Sequence, residues 1–436
     1  MALAAADRSR APVVFGLRAV PRLFEELQRP EPEHKTRALN SLCDLLHEPE
    51  RLYQTVTSGL LEQLGPLLRD SDSGVRTRTC DLLHLVSAHA IGRRALLSSS
   101  LLGPLSLLLD DPDPDCRVSV HRVLNRLCLL PLGAEALLSL VPKLILKLRG
   151  RVQETDEELG GKGGTEELGR KEGTEEGEKK VVTDEELGSK EAQVQGGSKE
   201  GAEETRVELG DKEANDELGR TEEEERGSKE AEEGGDEQGD TKEEELVLLL
   251  STLARCIRLD ALPALASGAV ELLRHKLTHG SAHVRREAAA ALLALSVPVE
   301  GKQQICALDL LSDLLPLLHD PDVEVRTNAA GVCMNTLIIT AGKVQALKLG
   351  LLPVLLDLVS PEDLGPDSLD LNQTLDQTQG KALVLYCLRA LTALSEAPAA
   401  RCLLMEQRPR LERRRDTDPE LRQATETALR VISWTP

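Results

Sequence analysis

Few residues in this 436-residue chain have types and spacings that could carry chemistry. Cys43 with His47, and Cys80 with His84, each stand four apart, which puts a thiol and an imidazole on one helix face as two potential metal ligands. Zinc needs about four convergent ligands, and the two pairs sit at different offsets in the repeat, so they face different directions. Buried thiols beside partly exposed imidazoles are the simpler reading. GGKGG at 160–164 resembles a phosphate loop only in glycine content, lacking the GK[ST] ending, a preceding strand and a following helix. No GxSxG, HExxH or paired CxxC occurs.

Three residues are candidates for protein binding. Asn125, Arg126 and Asn335 fall on segments expected to be third helices of a repeat, the helices that line the groove in armadillo arrays. Armadillo proteins that hold extended basic peptides carry a ladder of Asn at one third-helix position, with Trp one turn earlier. Here Asn335 has the ladder offset, but Leu85, Arg126 and Ala294 occupy the matching positions and the tryptophans are absent. A nuclear-import type of groove is therefore disfavoured. The basic run Arg408, Arg410, Arg413, Arg414 and Arg415 is interspersed with Glu406, Glu412 and Asp416, which suits a solvated helix face. Without nearby aromatics it gives no support to nucleic-acid stacking.

The elements that must position these residues are legible in 301–341. Leu311, Leu314, Leu315 and Leu318 follow the i, i+3, i+4, i+7 pattern of a one-sided helix. A short helix from Lys302 to Leu308 precedes it. A third helix is expected from the cap Asp322 to about Ile339, burying Val325, Ala329, Cys333 and Leu337. Gly342 is expected to close the unit in left-handed geometry. Arg326 provides a ruler: Arg285 lies 41 earlier, and Arg76 and Arg117 are also 41 apart. Asp72, Asp113, Ser281 and Asp322 precede these anchors by four, and Gly92, Gly133, Gly301 and Gly342 follow by sixteen. Arg37, 39 residues before Arg76, is taken as the first anchor, and position 244 and Val384 as hidden ones.

A helical period near 41 is the range of armadillo and HEAT arrays. The expected fold is all-α: an armadillo/HEAT-type α-solenoid of about eight repeats. Five aromatic residues in the whole chain leave Leu, Ala and Val to build the core. The nine cysteines show no paired spacing and suit buried positions in a reducing compartment. Met1 to Arg10 resembles neither a secretory signal nor an anchor, and no uncharged run reaches the ~18 residues of a membrane helix, so a soluble protein is expected.

The charge is localised. Residues 151–245 hold 35 acidic and 14 basic residues, the whole of the chain's net −21, while the other 39 acidic and 39 basic residues cancel. The expected organisation is a flexible N-terminus (1–12), armadillo-like repeats (13–149), a disordered acidic low-complexity insert (150–243), repeats (244–360), a loop insertion (361–380) and C-terminal repeats (381–436). The insert falls between the second and third helices of one repeat, where loop-closure cost grows slowly with length. Deleting residues 152–240 is expected to leave the thermal transition nearly unchanged.

The segments ALNSLCDLLHEPE, LLRDSDSGVRTRT, SAHAIGRRALL, LSLLLDDPDPDCR, HDPDVEVRTNAAGV with TAGK, and ALTALSEAP resemble the armadillo-repeat radial spoke head family of motile cilia and flagella. The resemblance runs through the helical units and stops at the acidic insert, which departs from the family pattern. It implies a non-enzymatic component or assembly factor of the radial spokes, in the cytoplasm and the axoneme. The expected partners are radial spoke or other axonemal proteins, with no cofactor, nucleic acid, membrane or small-molecule substrate. It carries over no residue-level site. Apart from the resemblance, the residues fit a general cytosolic or nuclear adaptor that binds a linear peptide in its groove.

Overall fold

The computed structural model describes residues 9–11, 18–160, 237–359, 373–414 and 418–434. The chain divides into two compact units, Met1–Gln153 with Glu233–Pro436, and Glu154–Glu232; the hydrophobic core lies in the first. It opens with α1 (Ala19–Glu26) and α2 (Pro32–Leu46). Then come α3 (Pro49–Thr57), two short 3₁₀ turns (Leu60–Leu64 and Leu67–Arg69) and α4 (Ser73–Ser87). Units of three helices follow: α5 (Ala90–Ser98), α6 (Leu102–Leu108) and α7 (Pro114–Leu127), then α8 (Pro131–Leu137), α9 (Val141–Gly160) and α10 (Glu237–Leu259). Next are α11 (Leu262–Ala266), α12 (Ala269–Arg274) and α13 (Ala282–Leu295), then α14 (Val299–Ala307), α15 (Leu311–Leu317) and α16 (Val323–Thr336). The chain ends with α17 (Thr340–Lys348), α18 (Leu351–Leu358), α19 (Gln373–Leu394), α20 (Pro398–Glu412) and α21 (Pro419–Ile432).

Among the described residues all regular structure is helical. The longer helices α2, α4, α7, α10, α13, α16, α19 and α21 pack each upon the next. Val325, Ala329, Cys333 and Leu337 are all fully buried on the α16 side expected for them. One hydrophobic cluster, built almost wholly from Leu, Ala, Val and Cys, runs from Val20 to Ile432.

The anchor arginines act as clamps. Each sends Nη1 back to two carbonyls of the turn before its own helix: Arg76 to Asp70 and Ser71, Arg117 to Asp111 and Pro112, Arg285 to His279 and Gly280, Arg326 to Asp320 and Pro321. In Arg76 and Arg285 the rest of the guanidinium takes a carboxylate 35 residues on. Arg76 grips Asp111 through Nε at 2.6 Å and Nη2 at 2.8 Å, and Arg285 grips Asp320 at 2.8 and 3.1 Å. These carboxylates also accept the backbone N–H of the next cap residue, Asp113 or Asp322. Burial alone would raise the Asp111 carboxyl, but hydrogen bonds from Arg76 and the Asp113 N–H hold it below its usual range.

The first anchor is Lys35, not Arg37. Lys35 stands 41 residues before Arg76, and its ammonium reaches Asp70 at 2.6 Å, again 35 residues on. Arg37 instead pairs with Glu33 one turn back on its own helix. Position 244 is no anchor either, since Glu244 accepts from Arg122. Val384 keeps its register: Ser395 and Arg401 follow it as Ser87 and Arg93 follow Arg76, and both arginines bond the carbonyls at the preceding helix end. Of the caps, Asp72, Asp113, Asp322 and Asp418 accept first-turn N–H groups, whereas Ser281 makes no side-chain cap.

Gly342 does not close a helix. Like Gly92, Gly133 and Gly301, it lies inside the next unit's first helix, pressed against the end of the preceding third helix. A Cβ at these four sites would sit 2.2, 1.9, 1.9 and 1.7 Å from the carbonyl oxygens of Thr336, Val86, Leu127 and Leu295 respectively. The glycines recur in phase because two backbones meet there. Left-handed geometry occurs instead between first and second helices, at Gly268, Asp309 and Gly350, spaced by the same 41 residues.

Several expected boundaries move. Ser9–Ala11, within the stretch expected to be flexible, are tied to α2: the Ala11 N–H donates to Ser41 and Arg10 pairs with Asp44. Helix α9 runs on to Gly160 and α10 starts at Glu237, so both ends of the stretch expected to be disordered (150–243) are helical. Its middle, 161–236, lies outside the described residues. Val152 is buried and Arg151 pairs with Glu245, which carries the helix past Gly150. Deletion of 152–240 would therefore clip the core, and a neutral deletion must start after Gly160 and stop before Glu237. Similarly α19 begins at Gln373 inside the expected loop 361–380, whose first part lies outside the described residues.

Asp111→Ala leaves Arg76 buried without its carboxylate, and urea unfolding is expected to show a loss of about 3 kcal/mol. Gly301→Ala is expected to cost ~1–3 kcal/mol by overpacking. Asp309→Gly should instead gain roughly 1 kcal/mol by relieving left-handed strain.

Candidate functional site

The residues singled out for binding share a face but do not converge. Asn125 and Arg126 lie half-buried in the last turn of α7. Asn335 lies on α16, with α10 and α13 between. Its Nδ2 donates to Ser296 Oγ at 2.9 Å, so part of its bonding capacity ties α16 to the end of α13. Arg126 lies near His84, whose imidazole is held down to about 3, first by burial and then by Arg126 and Arg122.

The same face continues to a groove between α19 and α21. Its volume is about 460 Å³, with Arg389, Thr392, Glu396, Glu420, Gln423 and Thr427 supplying polar groups and Leu385, Ala393 and Ala424 the apolar floor. Ala393 follows Val384 by nine residues, the offset of Arg126 and Asn335 from their anchors. Arg389 spans the groove to Glu420 at 3.3 Å, beside Lys381, which bridges Asp418 and Glu420. Such a lining offers hydrogen bonds of both polarities to an extended backbone, with no nucleophile–base pair. Sequence reading missed it because it depends on helices separated by residues 395–418, whose register has no arginine anchor at Val384.

The metal-like pairs do not assemble. Burial pushes the Cys43 thiol up to about 12, with Asp81 adding to the effect, and the Cys80 thiol is also raised. No group of three or more potential ligands forms among the described residues. The basic run on α20 is spent on local contacts: Arg408 with Glu412 at 2.6 Å, Arg410 with Asp357 at 2.9 Å, Arg413 with the Pro409 carbonyl, and Arg414 with the Val359 carbonyl. Arg415 lies outside the described residues. No helix among them is long and apolar enough to cross a membrane.

A buried charge cluster closes the seam between α9 and α10. Glu245, 4% exposed, takes Arg117 at 3.2 Å and Arg151 at 2.5 Å. Burial alone would raise its carboxyl, but the two arginines bring it below its usual range. His121 is wholly buried next to it, with both ring nitrogens lacking a hydrogen-bond partner and Nε2 4.0 Å from Glu245. Burial lowers the imidazole to about 4, outweighing the attraction of Glu245.

The fold and this face define an all-helical repeat array. No protein-family profile matches the chain. Among solved structures, it is similar to the crystal structure of an engineered protein, with TM-score 0.54 and 18% identity over 96% of this chain and 89% of that one. The crystal structure of a second engineered protein aligns at 15% identity and TM-score 0.37 over 85% and 96%. At such identities the first likeness speaks to the fold alone.

Because His121 is neutral when folded but titrates near 6.5 when unfolded, its contribution is complete above pH 6.5 and is lost as pH falls toward 4. His121 alone should lower the unfolding free energy by about 2–3 kcal/mol between pH 6.5 and 4.5. His121→Met should remove that share, leaving the loss from His84, which burial also holds down and which falls in the same window, and the losses from Asp111 and Glu245 at lower pH.

Proposed function

We propose that this chain is a non-enzymatic scaffold, an armadillo-type array of eight units that holds other proteins together in the radial spokes of motile cilia or assists their assembly. The observation that carries the scaffold reading is the succession of third helices packed each on the next, with an open polar groove between the last two. Repeat arrays of this kind commonly present extended binding surfaces. The ciliary assignment rests on the resemblance of the helical segments to the radial spoke head family. Its partners are then axonemal proteins, and its place the cytoplasm and the axoneme.

A second reading, a general adaptor for a linear peptide, draws on the α19–α21 groove. Its paired Arg389 and Glu420 suit a peptide that exchanges one salt bridge for contacts of its own.

Tagged full-length protein should appear in motile cilia and co-sediment with purified axonemes or their cytoplasmic precursors; absence from all three would overturn the ciliary reading. Proximity labelling in the same cells separates the two proposals. Recovery of spoke components unaffected by Arg389→Ala supports the scaffold, while recovery of varied partners, lowered at least several-fold by Arg389→Ala with Gln423→Ala, supports the peptide adaptor.

A further inference from the structure

Two of the nine cysteines meet across the seam where the chain is interrupted. Cys128 caps the end of α7 and Cys256 lies in the last turn of α10; their Sγ atoms are 3.7 Å apart although 128 residues separate them. Both are nearly or fully buried, at 6% and 0% exposure. We propose that Cys128 and Cys256 form a redox-active dithiol, oxidised by hydroperoxides to a disulfide that bonds the end of α7 to α10 across the interruption.

The sulfurs need to close from 3.7 Å to the ~2.05 Å of a disulfide, a movement within reach of side-chain rotation with slight helix adjustment. Either S–H can donate in this contact. With the proton on Cys128, the Cys256 thiol is lowered against the opposing effect of burial and the Cys128 thiol is raised. That arrangement makes Cys256 the attacking thiolate and Cys128 the resolving thiol. In the first step the Cys256 thiolate attacks a peroxide oxygen, the O–O bond breaks, and a sulfenic acid and hydroxide form. In the second, Cys128 sulfur attacks the sulfenic sulfur, the S–O bond breaks, and the Cys128 proton leaves with the hydroxyl as water. Two electrons pass from the sulfurs to the peroxide. Of the other seven, Cys43, Cys306, Cys333 and Cys387 have thiols raised by burial, Cys80 is raised by its hydrogen bond with Cys116, a pair within the helices before the interruption, and Cys402 is exposed.

The test uses the full-length protein with hydrogen peroxide as the probe. After brief oxidation, alkylation in denaturant and tryptic digestion without reductant, mass spectrometry should find LCLLPLGAEALLSLVPK joined to CIR, the peptides that hold Cys128 and Cys256. Titratable thiols should fall from nine to seven and return to nine with dithiothreitol. Cys256→Ser and, should that variant unfold by circular dichroism, Cys256→Ala should each abolish the linked peptide. Retention of nine thiols, or a dominant linkage between any other pair, would overturn the proposal. So would oxidation confined to Cys402, since it would show that the buried pair is inert.

Discussion

A single guanidinium, reading two carbonyls of its own unit and one carboxylate of the next, is the interaction on which this array depends. Arg76 and Arg285 show it complete. Its strength comes from burial: Asp111 is 6% exposed, so neither partner has a substitute in water. Its geometric effect is greater than its energy. The arginine fixes the turn that starts its own helix, and its carboxylate partner fixes the next cap, so each clamp hands its alignment to the following unit. A period of 41 is kept because the clamp spans 35 residues from arginine to carboxylate and six from carboxylate to the next arginine.

The same clamp explains how much of the fold is legible in the sequence. Caps, anchors and glycines are single residue types at fixed offsets, and each has a side-chain or backbone cause that recurs from unit to unit. Where the cause allows a substitute, spacing misleads. Lys35 reaches Asp70 as well as an arginine would, so a ruler made of arginines points to Arg37 instead. Gly342 is legible as a required glycine, but glycine is required both by left-handed geometry and by close approach, and only the backbone path tells the two apart. Asp309 hides the true left-handed position by being neither glycine nor asparagine. Composition alone also sets the insert's first edge too wide, because Arg151, which reads as solvated, is packed against Glu245.

The candidate face is less legible. Asn125, Arg126 and Asn335 stand out by offset, and their helices do lie in one succession, but Asn335 is partly occupied by Ser296. The groove between α19 and α21 needs the register of α19, which the sequence marks only through Ser395 and Arg401. A site built from ordinary helix-surface residues leaves no motif, since its chemistry is the exposure of polar groups in a row and not the convergence of reactive ones.

At Arg117 the clamp loses its usual partner, because the residue 35 places on is Val152, and Glu245 supplies the carboxylate from beyond the interruption. Side chains therefore join the two sides of this seam in addition to the backbone. The array is closed by side chains, by the shared core of α7 and α10 and by Arg151, irrespective of the length of chain between α9 and α10. The molecule is in effect already split there: its two halves meet as complementary fragments would, and the covalent tether between them serves chiefly to raise the concentration at which they find each other.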